Sequence, residues 1–164
     1  MLLKNAFIYI DGSFKSSDLY IINETEWIIG EDLSSIKCDQ IIDLSKKYIV
    51  PGLVDVHVHL REPGFEYKET ILTGSESAKA GGFASICAMP NVTPSPDNID
   101  NIRLIQDIID KDACINVYQY SCITEGRLGQ NLVDVSKLKD FVIGFSDDGN
   151  PVSSDLIMKK MIEQ

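Results

Sequence analysis

Both histidines of this 164-residue chain fall in one short run, Asp55-Val56-His57-Val58-His59-Leu60-Arg61. On a strand, side chains alternate faces, so His57, His59 and Arg61 are expected on one side and Val56, Val58 and Leu60 on the other. Two imidazoles about 7 Å apart at a strand end can converge on one metal ion, with Zn–N bonds of roughly 2.0–2.1 Å. The plainer alternative is a pair of structural histidines or a polar strand edge. A strand buried in a parallel sheet is ordinarily apolar on both faces, so three polar side chains on one face point to a metal site. A second cluster, Ser146-Asp147-Asp148-Gly149, offers two carboxylates that could ligate a divalent metal, act as a general base or cap a turn. By itself Asp-Asp-Gly most often means a turn. The third feature is Met89-Pro90-Asn91, whose Asn taken alone is simply a turn residue.

The elements that must position these residues change character near Pro51. Before it, LKNAFIYI, DLYIIN, EWIIG, QIIDL and KYIV are short Ile- and Tyr-rich runs bounded by Gly, Asp, Ser and Asn. They predict strands of an antiparallel sheet over residues 1–50, with Asp11-Gly12 as a hairpin turn. After Pro51 the rhythm becomes strand, loop, helix. Strands are expected at LVDVHVH (53–59), ASICAM (84–89), ACINVYQYS (113–121) and FVIGFS (141–146). Helices are expected over 70–80, from Ser95-Pro96-Asp97 onward, and from Ser153-Ser154-Asp155 to Gln164. Ile102, Ile105, Ile108 and Ile109 share one face of the middle helix. Alternating β and α with near-continuous apolar strands means a parallel sheet covered by helices. An open doubly wound sheet and a (β/α)8 barrel cut off halfway both fit, and a chain ending in a helix with no following strand favours the barrel.

Composition excludes several functions. With 44% hydrophobic and 24% charged residues the chain is an ordinary globular one, not disordered or fibrous. The formal net charge of −10 and the lack of a Lys/Arg cluster argue against a nucleic-acid partner. No run approaches the roughly 18 apolar residues of a membrane span, and no signal peptide is visible at the start. The scattered Cys38, Cys87, Cys114 and Cys122 form no C-x-x-C pair. Reduced thiols, with Cys87 and Cys114 buried in apolar runs, fit a cytoplasmic location. Gly81-Gly82 and Gly126-Arg127-Leu128-Gly129 match no phosphate-binding fingerprint and are taken as loop punctuation. The sequon Asn91-Val92-Thr93 has no secretory context, and Trp27 is expected in the core.

The stretch PGLVDVHVHLREPGFEYKETILTGSESAKAGGFASICAMPNVTPSPDN (51–98), followed by FSDDGNPV (145–152), resembles the signature region of dihydroorotases of type I from bacteria, within the amidohydrolase superfamily. The resemblance covers the whole chain and is most specific over 55–64 and 88–97. It implies a small β-sandwich module (1–50) followed by the first half, about four βα units, of a (β/α)8 metal-dependent hydrolase barrel (51–164). It further implies a zinc enzyme of pyrimidine biosynthesis, with one or two Zn²⁺, interconverting N-carbamoyl-L-aspartate and L-dihydroorotate. Position by position, His57 and His59 match the family's zinc ligands. Arg61 and Asn91 match the residues that grip the substrate carboxylate, a task suited to a guanidinium fork. Of the acidic pair, Asp148 is assigned as the metal-bridging carboxylate ahead of Asp147.

The family also uses two further histidines and an acid/base aspartate, and this chain has no third histidine. The expectation is an amino-terminal fragment that is catalytically silent alone, with the acid/base aspartate beyond Gln164. Rival expectations are an allantoinase or dihydropyrimidinase, or a non-catalytic scaffold of aspartate transcarbamoylase. The absence of Lys from 141–150 argues against the first pair, because related cyclic amidases use a carboxylated lysine there. Association with aspartate transcarbamoylase and homodimerisation are the expected partnerships beyond the small-molecule substrate.

Overall fold

In a computed structural model describing residues 1–152 and 154–164, the chain divides into two units, Met1–Pro51 and Gly52–Gln164. The first is built on a hairpin of β1 (Leu2–Ile10) and β2 (Ser13–Ile21). At its tip Asp11 and Gly12 take φ of 51° and 82°. Two successive left-handed residues are what a type I′ turn demands, and Asp-Gly supplies them at low cost. β3 (Trp27–Gly30) extends the sheet antiparallel to β2, but β4 (Ile41–Asp43) and β5 (Tyr48–Ile49) both run parallel to β1. The sheet is therefore mixed rather than antiparallel. Residues 31–40 carry the chain across to the far side of β1, so both return strands align with it instead of against it. The described residues of this unit form this one five-stranded sheet, against the expected sandwich. Trp27 is not core: on edge strand β3 it is 60% exposed and lines an apolar cavity of about 510 Å³ with Ile8, Leu19, Ile29 and Ile49.

In the second unit, β6 (Leu53–Val58), β7 (Phe83–Ala88), β8 (Asn116–Ser121) and β9 (Gly144–Phe145) form a parallel sheet in the order of the sequence. A doubly wound sheet reverses its strand order, whereas a barrel adds each strand beside the last. Helices α1 (Ile71–Ala80) and α2 (Ile99–Asp112) cover one face of the sheet. Leu60, Ile71, Ile86, Ile105, Ile109 and Val117 pack together there as the main core. Short α3 (Val135–Leu138) contributes Val135 and Leu138 to a second cluster with Ile102 and Cys122. The last helix, α4 (Asp155–Ile162), is capped by Ser154, whose side chain accepts from the Ile157 N–H. The expected start at Ser153 lies outside the described residues.

Three boundaries differ from expectation, the first being that β8 begins at Asn116 rather than at Ala113, which caps α2. α2 begins at Ile99 with Asn98 as its cap, not at Ser95-Pro96-Asp97. The Pro96 carbonyl accepts from the Cys122 N–H and the Ser121 hydroxyl, and the Asp97 carboxylate accepts from the Gly126 N–H. These long-range bonds hold residues 96–97 against the end of β8 and delay the helix. β9 is two residues long rather than the six of FVIGFS, with Phe141 and Ile143 exposed. Cys87 and Cys122 are buried, whereas Cys114 is only half-buried; all four thiols are free. Among the described residues no helix is long and apolar enough to cross a membrane.

Candidate metal centre

The candidate residues gather at the carboxyl ends of the four parallel strands, the face where α/β barrels carry their chemistry. β6 reaches it through an irregularity. Its register with β7 slips between Asp55 and Val58, so one extra residue is inserted where His57 lies. The Asp55 carboxylate accepts the His57 N–H at 3.0 Å and shapes that step. Such bulges re-aim a side chain, and strict alternation across Asp55–Arg61 is lost. β6 also stops at Val58, leaving His59 and Arg61 in the following loop, where Arg61 has a left-handed φ of 61°. The expected single face is thus replaced by a bulge and a loop.

His57 and His59 nonetheless meet, with ring centroids 5.2 Å apart. His57 Nε2 lies 3.3 Å from Asp148 Oδ1, and His59 Nε2 lies 3.8 Å from Asp148 Oδ2. One donor atom from each of these three residues falls within 4.8 Å of the others. The side chains of His57, His59 and Asp148 are 52%, 33% and 21% exposed, so the group is reachable from solvent. On the far side of its ring, His59 Nδ1 is 3.0 Å from Asn91 Oδ1. An amide oxygen only accepts, so Nδ1 is the donor in this contact and Nε2 is the nitrogen turned toward Asp148. Two imidazoles and a carboxylate, one ring oriented by an outer hydrogen bond, are a donor set that suits a divalent transition metal.

The two aspartates have separate roles. Asp147 is buried, and its carboxylate accepts from the Ile123 and Thr124 N–H groups at 2.8 and 3.1 Å and from the Thr124 hydroxyl. Its lone pairs are thus taken up in fastening the β9 loop to the loop after β8. Asp148 is the carboxylate left facing the histidines. Beside this cluster, Arg61 and Asn91 line a cavity of about 370 Å³ with Lys68, Thr93, Ser95 and Arg127. Lys68 and Arg127 were not singled out by type or spacing. Arg127 sits in the Gly126-Arg127-Leu128-Gly129 run, whose composition signals only a loop.

A parallel sheet in barrel order with a His-x-His pair and an aspartate at its carboxyl ends defines the class of fold and site, a partial (β/α)8 barrel with a candidate metal centre. A family model described as dihydro-orotase-like matches residues 46–164, and the chain belongs to that family. It is 39% identical to a dihydroorotase of Lactobacillus leichmannii, across 100% of this chain and 38% of the relative. It is 40% identical to a dihydroorotase of Staphylococcus aureus, across 99% of this chain and 39% of the relative. Among solved structures, an L-hydantoinase (dihydropyrimidinase) from Arthrobacter aurescens has a similar fold, with a TM-score of 0.81 at 20% identity. That match covers 98% of this chain and 37% of the neighbour. A D-hydantoinase (dihydropyrimidinase) from Thermus sp. matches 75% of this chain and 27% of its own, with a TM-score of 0.62 at 28% identity. The chain thus spans under two-fifths of the length of these relatives.

Proposed function

We propose that His57, His59 and Asp148 hold zinc, as one ion or as part of a pair, and that the chain serves the reversible cyclisation of N-carbamoyl-L-aspartate to L-dihydroorotate. The observation that carries this reading is the convergence of the three donor atoms within 4.8 Å. The family membership supports it. What a bound zinc supplies is polarisation of the scissile amide carbonyl and a lowered pKa for water. The chain's own residues bind and orient. Asn91 holds the His59 ring through Nδ1, Asp147 fixes the loop that presents Asp148, and Arg61 and Asn91 face the cavity in which a substrate carboxylate would sit. A planar guanidinium grips a carboxylate through two parallel N–H donors and so fixes its orientation as well as its charge.

Ring opening requires water to add to the amide carbonyl, the C–N bond to break and the departing nitrogen to take up a proton. Cyclisation is the same path reversed. On this reading the acid/base aspartate and two more histidines that the resemblance implies are supplied from outside these 164 residues. The purified 164-residue chain is therefore expected to take up zinc and to show no turnover of dihydroorotate. Detectable ring opening by the chain alone would contradict the division of the site. Zinc uptake that survives His57→Ala and Asp148→Ala would contradict the ligand set. An allantoinase or dihydropyrimidinase remains the second reading, since the similar folds include dihydropyrimidinases. Assay of a full-length protein on allantoin, dihydropyrimidine and dihydroorotate separates the three. Homodimerisation and association with aspartate transcarbamoylase extend the proposal, and sedimentation with and without that enzyme tests both.

A further inference from the structure

The Gly126-Arg127-Leu128-Gly129 segment is more than punctuation. Gly126 and Arg127 take successive left-handed φ values of 60° and 59° at the 3-10 turn Glu125–Arg127. For an arginine that conformation persists only where the surroundings hold it. They do so from two sides. The Arg127 guanidinium donates through Nη2 to the Asp148 carbonyl oxygen, and the Arg127 carbonyl accepts from Asn150 Nδ2 at 2.9 Å. The loop that presents Asp148 is thus clasped by one arginine at both its backbone and its side chain. Gly126 N–H in turn donates to Asp97 Oδ2 at 2.8 Å, so the clasp is anchored to the loop after β7.

Arg127 also lines the cavity shared by Arg61, Lys68 and Asn91. Among the described residues none of these three cations makes an ion pair, although the chain carries 25 acidic residues. The Arg127 Nε–H is buried without a hydrogen-bond partner. A buried donor without a partner is costly, so the fold holds this guanidinium in place against a penalty. Three cations without an ion-pair partner around one small space favour an anion there.

We propose that Arg127 is a positioning residue that couples the two halves of the site. Its guanidinium braces the Asp148 backbone and the residue borders the anion cavity, so a carboxylate in the cavity and a metal on His57, His59 and Asp148 strengthen each other's binding. This rests on the metal reading given above. Coupling of this kind is reciprocal, and factors of about five-fold upward are typical.

The test measures zinc affinity of the 164-residue chain at buffered free zinc, with and without saturating succinate as a dicarboxylate probe. In the wild-type chain, succinate is expected to tighten zinc binding on the order of five-fold, and zinc to tighten succinate by the same factor. Arg127→Met is expected to bring that factor to one. Arg127→Lys keeps the charge without the planar fork; it is expected to retain succinate binding and lose the coupling. A variant that weakens both affinities yet keeps the factor assigns Arg127 a merely structural role and overturns the proposal. A wild-type chain that binds zinc with a factor of one overturns it alone. A wild-type chain that takes up no zinc overturns the metal reading and this proposal with it.

Discussion

Asn91 shows how little a single residue type reveals until its partner is known. In the sequence it is one loop Asn among several. In the fold, the loop after β7 brings its Oδ1 to 3.0 Å from His59 Nδ1, and the imidazole is held with its other nitrogen toward Asp148. Outer partners of this kind typically tune metal affinity 10- to 100-fold. Asn91→Ala is therefore expected to weaken zinc binding by roughly that factor, measured by competition with a chelating indicator. Equal affinity would show that His59 is oriented by something else. His57 and His59 were legible because this chain has two histidines and both fall in one short run. Arg127 was not legible, since its role depends on a left-handed loop and on contacts to residues more than 20 positions away. A different residue, Cys122, has a pH signature. Burial pushes its thiol up to about 12, with nearby Asp147 and Asp97 adding to the shift. The folded state therefore holds the thiol proton more tightly than the unfolded one. That contribution to stability is complete below pH 9 and is lost as pH rises toward 12. Cys122 is accordingly expected to resist thiol reagents at pH 8 until the chain unfolds, while half-buried Cys38 and Cys114 react in the native state. Rapid native labelling of Cys122 would contradict this.

At the scale of elements, the strands and helices of the second unit follow from apolar periodicity, but their ends do not. α2 starts late because Pro96 and Asp97 are engaged by β8 and its loop, and β6 carries a bulge that alternation cannot foresee. Both departures depend on hydrogen bonds between distant segments, and both fall where the candidate site lies. The β8 and β9 loops are joined chiefly through Asp147. Thr124 serves that joint twice, donating its hydroxyl to the Asp147 carboxylate and accepting the Gly129 N–H at 2.8 Å. Thr124→Val leaves both groups short of a partner in a buried place. The expected loss is about 1–3 kcal/mol, read from the urea midpoint at constant m-value. A shift near zero would mean that water replaces the hydroxyl. Gly64 is a similar pinch point in the loop that carries Arg61. It has φ of 99°, and a Cβ there would lie 2.6 Å from the Thr93 carbonyl oxygen. Gly64→Ala is expected to cost about 1–3 kcal/mol in the same assay.

For the whole molecule, the sequence already separates a strand-only segment from an alternating one near Pro51, because the two follow different hydrophobic periods. The mixed pairing of the first sheet was hidden, since a run of apolar residues carries no record of the direction in which it will be laid down. Among the described residues all four α-helices belong to the unit Gly52–Gln164. Removal of residues 1–51 is therefore expected to leave the helical circular-dichroism signal per mole intact, and its collapse would show that the second unit depends on the first. The order β6-β7-β8-β9 has a consequence for synthesis. Each strand pairs with the one made just before it, so every new βα unit leaving the ribosome finds a finished template waiting. Among these four strands each pairing can form at the pace of translation, with loop closures of only a few tens of residues at each addition.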